Sequence, residues 1–106
     1  MEDVAAAESL LTVFRDAGVK NVASIGTLLR LWHGPATITE LAGATDRSAA
    51  NMTGVRDRLA EKGLVGDTRG GEDRRLVMVS LTQAGFDLVT KALKAAEAAR
   101  EQGVVA

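Results

Sequence analysis

The chain reads as a mainly α-helical domain carrying one small β-hairpin, an α+β fold, and three observations predict it. Four stretches with helical spacing of apolar residues fill the first sixty positions. A β-prone segment broken by two adjacent glycines follows at 64–81. An alanine-rich helical stretch then runs towards the C-terminus.

Each element has its own signal. From Glu2 to about Ala17, Val4, Ala7, Leu11 and Phe14 recur at helical spacing, and Gly18 supplies a stop. From about Val22 to Trp32, Ile25, Leu28, Leu29 and Trp32 make one stripe, ended by Gly34-Pro35. Thr37 followed by Glu40 is a capping box, which predicts a short helix over 38–44. A tight connection is expected over Gly43 to Arg47. A fourth helix follows over 48–61, with Met52, Val55 and Leu59 on its buried side and Lys62-Gly63 as its close. The period then changes. Leu64-Val65 leads into a short strand ending near Arg69, residues 69–74 read as a glycine-rich hairpin tip, and 76–81 as the return strand. Thr82 starts the last helix, expected over 82–102, with residues 103–106 fraying. A short helix, a turn, a longer helix and a two-stranded hairpin in that order are the winged helix-turn-helix layout.

Composition bounds the function. The chain has 106 residues, 46% apolar and 25% charged, which fits one globular domain over 1–106. Without cysteine there is no disulfide, no thiolate metal site and no thiol nucleophile. No apolar run approaches a membrane span, and the start lacks the basic region of a signal peptide, so a cytoplasmic protein without membrane contact is expected. Net charge is −1, so attraction to a polyanion must be local. The one local excess of cations is Arg69, Arg74 and Arg75 against Glu72 and Asp73.

Candidate chemistry is sparse. His33 stands alone beside Trp32 at a helix end, a capping or packing position with no zinc spacing around it. Asp57 and Glu61 read as solvated ion pairs with Arg58 and Lys62. Gly70-Gly71 lacks the Lys-Ser/Thr and the following helix of a phosphate loop. No enzyme activity, metal or cofactor is expected.

The stretch Thr39-Glu40-Leu41-Ala42, then Ser48, Thr53, Asp57-Arg58-Leu59, Lys62-Gly63-Leu64-Val65, Asp73-Arg74-Arg75 and Leu81-Thr82-Gln83-Ala84-Gly85 resembles the multiple-antibiotic-resistance regulator (MarR) family over residues 22–90. The resemblance implies that helix 38–44 supports helix 48–61, which enters the DNA major groove, and that the hairpin is a wing reaching the minor groove. It implies that Arg75 approaches the DNA while Asp73 orients it, and that the terminal helices, 1–17 and 82–102, dimerise. Arg56 takes a place that is usually apolar in the family, and Gly54 one that is often basic.

The function expected is sequence-specific binding of double-stranded DNA by a transcriptional regulator, a repressor. The candidate DNA-binding residues are Arg47, Ser48, Ala49, Asn51, Thr53, Gly54, Arg69, Asp73, Arg74 and Arg75. Small side chains let a helix approach base edges, Asn and Thr bond there, and Arg suits a narrow minor groove. Val4, Ala7, Leu11, Phe14, Leu88 and Ala92 form stripes outside the winged core and are the expected homodimer interface. The alternative is a winged-helix protein-interaction module, an accessory factor with weak or no DNA binding.

Overall fold

The computed structural model describes residues 2–70 and 73–105, with side chains described over 3–69 and 77–101. Five helices and two strands follow in order: α1 (Glu2–Asp16), α2 (Val22–Trp32), α3 (Ile38–Thr45), α4 (Ala49–Glu61), β1 (Val65–Gly70), β2 (Asp73–Leu81) and α5 (Gln83–Val105). They divide into a winged unit, Asn21–Phe86, and a terminal unit of 2–20 with 87–105. No helix among the described residues is long and apolar enough to cross a membrane.

Local chemistry fixes the ends of the winged unit's helices. The Asn21 side chain accepts the Ser24 N–H at 2.8 Å and starts α2. At α3 both halves of the capping box form: Thr37 Oγ1 accepts the Glu40 N–H at 3.1 Å, and Glu40 Oε1 accepts the Thr37 N–H at 3.0 Å. Donation to the Glu40 carboxyl from the Thr37 backbone N–H, first, and from the Thr37 hydroxyl, second, holds it below the ordinary carboxylate range. The connection expected over 43–47 is shorter than the sequence implied, because α3 continues through Gly43 to Thr45. Thr45 Oγ1 bonds the Leu41 carbonyl, and the helix closes only at Asp46, which is left-handed at φ 54°. The Arg47 N–H reaches the Ala42 carbonyl and the Asp46 N–H the Gly43 carbonyl, which satisfies two of the last turn's free carbonyls.

Helices α2, α3 and α4 pack on one another, and α2 and α4 pack on the hairpin. Leu28, Leu41, Met52, Val55, Leu59 and Val79 are almost fully buried, each burial stabilising by about 1.5–3 kcal/mol. The buried Thr27 hydroxyl is satisfied by the Ala23 carbonyl at 2.7 Å and lies 3.5 Å from Met52 Sδ.

The strands run antiparallel from Val65↔Leu81 to Arg69↔Val77, with Gly70↔Asp73 beyond a register shift. The strands therefore take in Arg69, Asp73 and Arg74, which were expected in a tip over 69–74. Ala36 and Val79 exchange both backbone hydrogen bonds, at 3.0 and 2.7 Å, so the chain just before α3 pairs along β2. At the far end, the Thr82 N–H bonds the Leu64 carbonyl, the Thr82 hydroxyl bonds the Gly63 carbonyl, and the Gly85 N–H returns to Thr82 Oγ1. Gly85 sits so close that an added Cβ would lie 2.0 Å from the Leu64 carbonyl oxygen. This contact gives the Leu-Thr-x-x-Gly spacing its physical reason.

In the terminal unit, α5 runs through Gly103 to Val105, past the end expected at 102. One glycine costs about 1 kcal/mol and does not stop a helix propagating from a long alanine-rich run. Phe14, Val89 and Ala92 are wholly buried, while Val4 and Leu11 are 56% and 45% exposed. Phe14 and Ala92 are thus interior residues of the single chain and leave the surface stripe proposed for them from spacing.

Candidate nucleic-acid interface

The candidate interface is built on α4. Ser48 Oγ accepts the Asn51 N–H at 3.1 Å and caps the first turn. The Lys62 cap and Gly63, at φ 76°, close the last. Met52, Val55 and Leu59 anchor the inner face. With that face pinned, 100° per residue turns Ala50, Gly54 and Asp57 directly outward, with Ala49, Asn51, Thr53 and Arg58 beside them. Arg47, Ser48, Ala49, Ala50, Asn51 and Thr53 are all exposed, and Gly54 is half-exposed. The N-terminal half of α4 therefore offers an accessible surface of small and polar groups at the helix end that carries free N–H donors.

The chemistry of individual positions is narrower than residue type alone indicates. Thr53 Oγ1 donates to the Ala49 carbonyl at 3.0 Å, so its free capacity is as an acceptor. The Ser48 oxygen is engaged in capping, which leaves its proton available. Asn51 presents an exposed amide with both donor and acceptor ends.

Charge is arranged differently from the pairs read in the sequence. Asp57 pairs not with Arg58 but with Arg56, Nε to Oδ1 at 3.1 Å. Arg56 Nη1 also donates to Asp67 Oδ2 of β1 at 2.9 Å. Arg58, one turn beyond Gly54, has no ion-pair partner among the described residues, and its guanidinium lies over Gly54, 3.8 Å from where a Cβ would stand. Arg47 in the turn, Arg58 on the helix and Arg69 on β1 are all exposed. Ala50 and Arg58 were missed in the sequence. Ala50 could have been found from the 100° wheel centred opposite Met52, Val55 and Leu59, whereas Arg58 needed the knowledge that Asp57 turns to Arg56.

Of the wing residues, Arg69 is exposed and shares a strand face with Asp67. The side chains of Asp73, Arg74 and Arg75 lie outside the described residues. His33 is the exposed C-cap of α2, and among the described residues no cluster of three or more His, Cys, Asp or Glu could hold a metal. Of the expected dimer residues, Val4, Ala7 and Leu11 are exposed, Leu88 is half-buried, and Phe14 and Ala92 are interior.

The model of the MarR family matches residues 22–77, which covers α2 to the middle of β2. An uncharacterized HTH-type transcriptional regulator of Bacillus subtilis, YpoP, is 39% identical over 61 residues, 56% of this chain. That stretch is 43% of YpoP, so the match spans less than half the length of this curated relative. Among solved structures, the transcriptional regulator Tm0710 of Thermotoga maritima superposes with a TM-score of 0.81 at 25% identity, over 96% of this chain and 69% of that one. The S. aureus MepR–DNA complex superposes with a TM-score of 0.74 at 21% identity, over 92% and 79%.

Proposed function

This chain belongs to the MarR family, and on that footing we propose that it binds double-stranded DNA as a regulator of transcription, acting as a repressor and not as an enzyme. The observation that carries the reading is α4. A helix capped at both ends and anchored by three buried side chains presents small and polar groups outward, and a β-hairpin follows it directly. Helix α3 supports it across the Asp46 turn, and α4 enters the major groove N-terminus first.

In this reading Ser48, Ala49, Asn51, Thr53 and Gly54 meet base edges, with Asn51 the bidentate reader and Thr53 an acceptor. Arg47 and Arg58 meet phosphates. The wing, with Arg69, Arg74 and Arg75, lies along the minor groove, and Asp73 orients Arg75. The fold is one that MepR carries in a complex with DNA. The protein works in the cytoplasm as a homodimer, whose interface includes the exposed Val4, Ala7 and Leu11 of α1.

Selection of bound sequences from a random duplex pool, followed by mobility shifts over a salt series, tests the reading. We expect a two-block consensus with affinity falling steeply with salt, about −0.9 in log–log slope per phosphate neutralised. Arg75→Ala should weaken binding by about 1–3 kcal/mol. A chain that binds no duplex even at low salt overturns the proposal in favour of a protein-interaction module.

A further inference from the structure

One polar arrangement beside α4 is not used by base reading or phosphate contact. Arg56 is three-quarters buried, with side-chain exposure of 26%, and its guanidinium spans two elements. Nε lies 3.1 Å from Asp57 Oδ1 on α4, and Nη1 donates at 2.9 Å to Asp67 Oδ2 on β1. A guanidinium is planar and rigid, so its Nη1 bond fixes the direction in which Asp67 is held from α4, whereas Nε is buried in ion-pair range of Asp57 without a hydrogen bond to it.

The position of this bridge matters. On α4, Arg56 follows Ala49 and Thr53 and precedes Ala60 on one ridge, and those neighbours are too short to reach a strand. Helix α4 packs against β1, and of the strand's described side chains the apolar one, Val65 at its start, is buried. Beyond Val65 the strand turns exposed at Asp67, Thr68 and Arg69. Asp67 is therefore where the outer half of the wing strand is tied to the helix after apolar contact has ended. With Nη1 committed to Asp67 and Nε beside Asp57, the guanidinium is turned to carboxylates of its own chain and offsets two negative charges that would otherwise face the DNA.

We propose that Arg56 is a positioning residue for DNA recognition. It sets the wing strand at a fixed separation from the groove-reading helix and so fixes the spacing between major-groove and minor-groove contacts on the duplex. This rests on the DNA-binding reading above. An apolar side chain at this place would pack but could not hold Asp67.

The test uses the 106-residue chain and a fluorescent duplex recovered by the unmodified protein from a random pool. Affinity is measured across a potassium chloride series for Arg56→Met, Asp67→Asn and the double variant. Arg56→Met should weaken binding about tenfold with an unchanged salt slope. Asp67→Asn should also weaken binding, although it removes a negative charge near DNA, and the double variant should bind no worse than Arg56→Met. Pool selection repeated with Arg56→Met should return both sequence blocks with relaxed spacing.

If Arg56→Met lowers the salt slope by about 0.9, Arg56 touches a phosphate directly and the proposal is overturned. Tighter or unchanged binding by Asp67→Asn overturns it as well. Where Arg56→Met loses its circular dichroism, Arg56→Gln takes its place in the cycle. Variants that bind like the unmodified chain overturn the positioning role alone. An unmodified chain that binds no duplex overturns the DNA-binding reading, and the positioning role with it.

Discussion

In the winged unit, α2, α3 and α4 bury the centres of their apolar stripes, and Leu28, Leu41, Met52 and Leu59 have no more than 1% of their surface exposed. In the terminal unit the same kind of stripe is only partly covered. On α1, Phe14 is wholly buried and Leu11, three residues earlier, is 45% exposed. Both were read from one periodicity. The difference teaches that helical spacing identifies a face that avoids water without saying which surface will cover it. In one unit the chain covers its own stripes. In the other it leaves Val4, Ala7 and Leu11 to something else, for which a second copy is the occupant proposed above.

The comparison is tested first at Phe14. Phe14→Ala should cost about 3–5 kcal/mol in urea unfolding, and Phe14→Glu should lose helical circular dichroism altogether, because a charge would be buried unpaired. Retained helicity in Phe14→Glu would place Phe14 with Leu11 and erase the distinction. Next comes Gly85 in the winged unit, where Gly85→Val should cost about 3 kcal/mol, since the new Cβ meets backbone rather than a side chain that can rotate away. Thermal melting checks this, and a melting temperature within a degree or two of the parent would show that α5 can shift freely at its first turn.

A smaller effect is expected at the capping box. Thr37→Ala should cost about 1 kcal/mol. Glu40 has a folded pKa held below its unfolded value, so its contribution is complete above the unfolded pKa and is lost as pH falls through the folded one. Urea midpoints of the parent should therefore decline at acid pH more than those of Glu40→Gln. The smallest effect on stability belongs to Leu11→Glu, within about 0.5 kcal/mol with helicity intact. Its consequence should appear in sedimentation equilibrium as a loss of dimer. A variant that associates like its parent would remove α1 from the interface.

How much was legible follows from how local each determinant is. All five helices were readable because spacing, caps and stops lie within a few residues, and the Thr37–Glu40 box formed as its sequence implied. The hairpin was readable as β-prone sequence on either side of Gly70-Gly71, but its strands are longer than propensity indicated, because ladder bonds carry Arg69 and Asp73 into pairing. Of the candidate interface, the exposure of Ser48, Ala49, Asn51 and Thr53 was foreseen from the buried stripe of α4. The Arg56–Asp67 bridge was not, since its partners are on different elements and a residue's departure from a usual type does not reveal its new contact. Gly85 appeared as part of a motif, and only the nearness of the Leu64 carbonyl explains why no side chain fits there.

The pairing of Ala36 with Val79 bears on the order in which the molecule assembles. The two residues lie about 43 positions apart in the chain and are joined by two backbone hydrogen bonds. Closing a loop of that length costs about 3 kcal/mol in chain entropy, whereas each hydrogen bond returns only about 1 kcal/mol net. The bridge cannot initiate folding. It forms once α3 and α4 have collapsed on α2 and shortened the effective loop, which makes it a late event on the folding route. A contact that forms last is among the first to open, so hydrogen exchange at the Ala36 and Val79 amides should precede that of the α2–α4 core.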